Sequence, residues 1–247
     1  MVVRTNTGAI SGIGAVMVTV EVSVTGGGLG LFLVGLPDNA VKESEQRIRS
    51  AFENSGYRMT VRKCVVNLAP ADLRKEGSGF DLPIAVAILA ATEQLSAEKL
   101  EDALFVGELS LDGSIRGVKG VLPVAAEARA KGFSKIYVPH ENAAEAAVVD
   151  GVEVYAVGSL TELVAVLNGE QELLPTEGEM PSDDENEGYV DDFADVKGQA
   201  HVKRAMEIAA AQVYVKPTAA PTQVISTIQL RLGRPNQGQI KEIRSRK

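Results

Sequence analysis

The sequence predicts a single α/β domain (α+β in a finer division) with a mixed sheet over residues 1–169, followed by an acidic linker. Three observations lead there. Val16, Val18, Val20, Val22 and Val24 alternate with Met17, Thr19, Glu21 and Ser23, the two-residue period of a strand with one buried face. The stretch Leu82 to Thr92 is apolar on all sides, which suits a helix only at the centre of a packed structure. Strand-like and helix-like segments are then intermixed, joined by both tight turns and longer crossovers.

Each element has its own signals. Gly26, Gly27, Gly28 and Gly30 end the valine strand, and Leu31 to Val34 begins another. Asp38 is placed to cap a helix running to about Asn54, with Val41, Ile48 and Phe52 on one side and Gly56 as its stop. The outer face of that helix holds Lys42, Glu43, Glu45, Arg47 and Arg49, an ordinary solvated mixture. Cys64 to Leu68 reads as a third strand. The polar loop Lys75-Glu76-Gly77-Ser78-Gly79 leads to Asp81, expected to cap the buried helix, whose first turn accommodates Pro83. Phe105 to Leu111 and Ser114 to Val118 flank Asp112-Gly113, a strong hairpin signal. A helix over Leu122 to Lys131 stops at Gly132, and Lys135 to Val138 is a strand. A helix over Glu141 to Val148, a strand over Val152 to Val157 and a helix over Leu160 to Leu167 complete the domain. Ser159 and Glu162 form a capping box for the last.

Charge divides the chain. Its net charge of -8 is the balance of -5 over residues 1–169, -11 over 170–195, +2 over 196–211 and +6 over 212–247. Residues 170–192, with Pro175, Pro181 and Asp183-Asp184-Glu185, are expected to form a flexible acidic linker. Order is expected to return over 193–211, with a helical stretch after Gln199 to about Ala211, and the basic tail 212–247 is expected to be disordered. Aromatic residues make up 4% and Trp is absent, which argues against a base-stacking platform. The longest apolar run, Leu82 to Ala91, is about half the ~20 residues of a membrane-spanning helix, and no secretory signal is visible. A cytoplasmic protein without membrane contact is the expectation. The single cysteine, Cys64, reads as a buried hydrophobe, and one cysteine with two distant histidines, His140 and His201, makes no metal site.

Several strings resemble one family: Val34-Gly35-Leu36-Pro37-Asp38, the long run from Asn67 to Pro83, Gly107-Glu108-Leu109-Ser110-Leu111-Asp112-Gly113, and Asp192 to Gln199. They are similar to the YifB/ComM family of magnesium-chelatase-like AAA+ ATPases, over about residues 1–211. The resemblance implies that the first domain shares the fold of the Lon peptidase domain and of a ribosomal protein domain. It further implies a nucleotide motor that uses ATP and Mg²⁺, starting near Asp195-Val196-Lys197-Gly198-Gln199. ComM-type members are hexameric helicases that drive DNA branch migration during natural transformation. That role, with DNA contact through the full assembly and with protein partners or self-association, is what the resemblance implies here.

The sequence departs from the family after Ala209-Ala210-Ala211. The pattern G-x-x-x-x-G-K-[ST], whose backbone amides and lysine hold phosphates, does not occur; Gly233 and Gly238 have the spacing, but Gln239 and Ile240 follow. The expectation is a truncated motor start, with no nucleotide and no other cofactor bound by this chain.

The alternative function is a Lon-type peptidase, in which a serine nucleophile is activated by a lysine base. The loop Glu76 to Asp81 occupies the place of the Lon nucleophile loop, but an overlay puts Gly79, not Ser78, at the nucleophile position. Leu122 or Pro123 stands where the lysine belongs. Lys75, Glu76, Ser78 and Asp81 are therefore read as a structural loop of a vestigial site, with no catalytic residue. Lys42, Arg47, Arg49, Arg58, Arg62 and Lys63 are candidates for weak nucleic-acid contacts. A structural or protein-docking role leads for the domain.

Overall fold

The computed structural model describes residues 2–178, apart from Leu29, Val61 and Lys99, together with residues 201–204. The rest of the acidic linker, most of the expected motor start and the whole of the tail lie outside the described residues. The His201–Arg204 segment is helical and belongs to a second unit.

In chain order the body comprises β1 (Val2–Ser11), β2 (Gly14–Thr25), β3 (Gly30–Val34), α1 (Asn39–Asn54), β4 (Lys63–Ala69), α2 (Asp81–Ala91), β5 (Ala103–Phe105), β6 (Glu108–Leu109), β7 (Ile115–Arg116), α3 (Val121–Ala130), β8 (Lys135–Pro139), α4 (His140–Ala147), β9 (Glu153–Val157) and α5 (Leu160–Asn168). Seven strands form one sheet in the order β3-β4-β2-β1-β5-β8-β9. The β1–β2 and β2–β4 pairs are antiparallel and the others are parallel, so the sheet is mixed as expected. β6 and β7 form a separate two-stranded ribbon.

Helix α2 is the centre of the body. Every residue from Asp81 to Ala90 is buried, as an all-apolar helix requires. It shares one core with α1, α5 and the inward valines of β2. A second core lies on the opposite face of the sheet, where α3 and α4 bring Val124, Ala128, Ala143 and Ala146 onto Ile136, Val138 and Val154. Asp38 caps α1 by accepting from the Val41 N–H at 2.8 Å, and Ser159 caps α5 by accepting from Glu162 N–H. The Glu162 carboxylate answers on Gly158 N–H, one residue before the cap, rather than on Ser159.

Two features differ from the sequence reading. β1 was hidden because two of its inward positions are Thr5 and Thr7, which break the apolar period between Val3 and Ala9. Thr5 belongs there because its hydroxyl donates to the Pro83 carbonyl at 3.0 Å, tying the sheet to α2. The expected strand Phe105–Leu111 is two strands. β5 lies in the main sheet beside β8, the chain then turns at Val106-Gly107, and only β6 pairs with β7. The turn is held by Gly107 N–H donating to the Gly79 carbonyl and by Leu82 N–H donating to the Gly107 carbonyl. Asp112-Gly113 does close the ribbon, with Gly113 at φ +86°.

Order continues past Gly169. Thr176 N–H donates to the Val154 carbonyl at 2.7 Å and Leu173 packs against the core, so the start of the acidic segment is laid along β9. No described helix is long and apolar enough to cross a membrane.

Cys64 is fully buried on β4, and burial pushes its thiol from an ordinary 9.0 up to about 11. A raised thiol pKa keeps the folded state protonated where the unfolded chain ionises. The associated stability is complete below pH 9 and is lost as pH rises toward 11. The native protein is expected to give no fast reaction with Ellman's reagent at pH 8 and one equivalent after denaturation. Rapid labelling of the native chain would contradict this burial.

Candidate functional site at the start of the buried helix

The loop expected to carry the vestigial site is built by two segments clamped together. Leu36-Pro37-Asp38, after β3, lies beside Lys75: Lys75 N–H donates to the Leu36 carbonyl at 3.2 Å and Asp38 N–H to the Lys75 carbonyl at 2.9 Å. Asp38 serves both segments, since its second carboxylate oxygen accepts from Gly77 N–H at 3.3 Å. Gly77, at φ +88°, then turns the chain into a 3₁₀ turn over Ser78–Phe80 that runs directly into α2.

Asp81 is not the cap of α2. It is already helical, and no side chain caps that terminus. Its carboxylate is fully buried and accepts four hydrogen bonds from three groups: Ser44 hydroxyl at 2.5 Å, Arg47 Nε at 2.6 Å, Arg47 Nη2 at 2.9 Å and Leu109 N–H at 3.1 Å. Arg47 Nη2 also donates to the Ala40 carbonyl, and Glu43 lies 3.8 Å from the guanidinium. Burial pushes the Asp81 carboxyl up, while Arg47, Ser44 and the Leu109 N–H favour the carboxylate. The same hydrogen bonds hold Arg47 above its ordinary range. With a guanidinium and two further donors in place, this is an ion pair joining α1, α2 and β6.

This geometry reassigns Arg47. It was read as part of a solvated face and as a nucleic-acid contact, but its guanidinium is committed to Asp81. Ser44 and Arg47 are neighbours at i,i+3, which puts both on the same face of α1. The available signal was Asp81 itself: an acid beginning a helix buried on every side needs a paired donor. Nothing in the sequence identified Leu109 N–H as the donor of the fourth bond.

The remaining expected residues are dispersed. Lys75 is fully buried, its ammonium donates to the Pro70 carbonyl, and burial pulls its pKa down against Asp72. Ser78 is half-buried and, among the described residues, makes no side-chain hydrogen bond to a lysine. Glu76 is exposed beside Arg74 at 3.1 Å. Lys42, Arg58 and Arg62 are exposed, Arg49 pairs with Glu45 at 3.3 Å, and Lys63 lies over the Phe32 ring at 5.4 Å. Gln94 holds the Arg58 main chain by both its N–H and its carbonyl, each at 2.8 Å. The loop is thus an anchored structural junction, and its lysine is not paired with its serine.

Comparison with known proteins agrees with the strings that carried the resemblance. Residues 20–142 match the family described as "Subunit ChlI of Mg-chelatase". The "Uncharacterized protein YifB" of Escherichia coli (strain K12) is 44% identical over 206 residues, 83% of this chain and 40% of that protein. The "Competence protein ComM" of Haemophilus influenzae is 44% identical over 205 residues, 82% of this chain and 40% of that protein. A fainter likeness, 24% over 124 residues, joins half of this chain to 22% of "Lon protease 2" of Bacillus subtilis. Fold and matches together define a magnesium-chelatase-like protein. The chain belongs to the YifB/ComM family, and it spans about 40% of the length of these two relatives.

Proposed function

We propose that residues 2–178 form the non-motor domain of a ComM-like protein and organise an ATP-driven DNA-remodelling assembly rather than perform chemistry. One observation carries the reading: the loop aligned with a peptidase nucleophile is spent on structure. Lys75 Nζ is used by the Pro70 carbonyl, and Asp81 is sealed in an ion pair with Arg47. Neither residue is free to activate Ser78. The helicase role in branch migration, DNA contact through the full assembly and a cytoplasmic location extend this reading from the resemblance and from the relative named for competence.

The sequence supplies no phosphate cradle, so the 247-residue chain is expected to bind no ATP. Titration with a fluorescent ATP analogue and Mg²⁺ tests this, and competable micromolar binding would refute it. A casein or fluorogenic-peptide assay on the same preparation is expected to show no cleavage. Turnover abolished by Ser78→Ala would restore the peptidase reading.

A further inference from the structure

The cations expected to meet nucleic acid fall into two groups, and the fold separates them. On α1, Arg47 is sealed to Asp81 and Arg49 pairs with Glu45, so little charge is left to offer. Arg58, Arg62 and Lys63 differ: among the described residues none of the three makes an ion pair, and Arg58 and Arg62 are exposed. Stretches 22–37 and 54–71 build β3, β4 and the end of β2, and they hold these three cations and no acid, in a chain of net charge -8. Glu21, on the same outward sheet face, stands one strand and four residues from Lys63. That is roughly 14 Å, from about 4.8 Å per strand and about 3.3 Å per residue, beyond the ~8–10 Å screening length. Glu21 is also matched by Arg4 at 2.9 Å, so it does not neutralise the group.

The same end of the sheet exposes a ring and a bare main chain. Phe32 is 47% exposed on the outward face of β3, with the Lys63 ammonium 5.4 Å from its ring centroid. Its row continues to Val65 and Ser23 and carries no charge. Gly26, Gly27 and Gly28, between β2 and β3, are exposed. A Cβ at Gly26 or Gly27 would meet nothing within 4 Å, and one at Gly28 would lie 3.7 Å from the Lys63 side chain. A ligand can therefore approach that main chain closely, within reach of the lysine. Gln94 fixes the Arg58 main chain through both its N–H and its carbonyl, so Arg58 projects from a held backbone.

We propose that this end of the sheet binds single-stranded DNA, with one base stacked on Phe32 and the adjacent phosphates on Lys63, Arg62 and Arg58. The inference rests on the DNA-remodelling role above and adds to it a DNA contact on this domain. Cations without ion pairs, in surroundings free of acid, suit phosphates. The exposed ring selects a single strand, because a duplex buries its base faces. The Lys63–Phe32 contact is weak at so exposed a site, so a base displaces the ammonium from the ring, and the flexible lysine stem carries it to a phosphate. One ring makes a one-base anchor rather than a platform, in keeping with the 4% aromatic content. Such stacking tolerates any base, since each has a π face.

The test uses the 247-residue chain and fluorescence anisotropy with an oligothymidylate of about 12 nucleotides, beside an abasic strand of equal length. The basic tail 212–247 attracts both strands alike, whereas only the first can stack. Binding is expected to favour the oligothymidylate at least ~5-fold. Phe32→Ala should erase that preference and Phe32→Tyr should retain it. Lys63→Ala combined with Arg62→Ala should weaken binding of both strands and lower the salt slope by about 1.4, while Arg49→Ala changes neither. A strand carrying iodouracil should photocross-link within residues 30–34. No preference for bases, a preference indifferent to Phe32→Ala, or cross-links confined to residues 212–247 would each overturn the proposal. Each of these results leaves DNA contact through the full assembly untouched, so the two readings fail separately.

Discussion

Asp81→Ala is expected to lower stability by about 3–5 kcal/mol, the cost of removing one partner of a buried ion pair. The variant strips four hydrogen bonds at once and leaves Arg47 facing the space vacated by the carboxylate, with Ser44 and the Leu109 N–H also deprived of their acceptor. In a body of this size that corresponds to a fall of roughly 6–20 °C in the thermal midpoint. Loss of a helix cap would cost only about 0.5–2 kcal/mol, so the magnitude separates the two accounts of this residue. Ser78→Ala should melt with the parent, because Ser78 is only half-buried and makes no side-chain hydrogen bond among the described residues. Arg47→Ala should fall with Asp81→Ala, and the double variant should lose less than the sum of the two. Additive losses would mean that the pair does not act as a unit.

Gly35→Ala is the second substitution expected to act strongly. Gly35 has φ +99°, and a Cβ there would lie 2.2 Å from the Leu68 carbonyl oxygen. Left-handed strain of about 1–3 kcal/mol adds to about 1–3 kcal/mol for displacing a neighbouring strand. Gly12→Ala, at φ +63° with nothing within 4 Å, isolates the first contribution. Urea unfolding should therefore place the midpoint of Gly35→Ala well below that of Gly12→Ala, with similar slopes. Coincident midpoints would show that β4 yields freely and that the close approach carries no cost.

These two residues also show what was legible beforehand. α2 could be read directly, since a run of ten apolar residues has only one environment in which to sit. The caps at Asp38 and Ser159 were readable because donor and acceptor lie three residues apart. The Asp81–Arg47 pair was not, because 34 residues separate the partners and Arg47 resembles its solvated neighbours on α1. β1 escaped because threonine can be buried when it finds an acceptor, and the Pro83 carbonyl appears only once α2 is docked. The break between β5 and β6 likewise depends on contacts from Gly79 and Tyr137, distant partners that local periodicity does not register. Local chemistry was visible in the sequence, whereas the polar contacts between elements emerged only with the fold.

Residues 173–178 stay on the body after α5: Leu173 packs against the core, Thr176 N–H bonds the Val154 carbonyl of β9, and Gly178 lies against the Ala147 carbonyl at the end of α4. Thr176 is bonded at one edge of the sheet and β3 forms the other, six strand spacings or about 29 Å away. Residue 178 itself lies on the far side of the sheet from β3. A pull transmitted through residue 178 therefore loads β9 and the hydrogen bond at Val154 before it reaches β3.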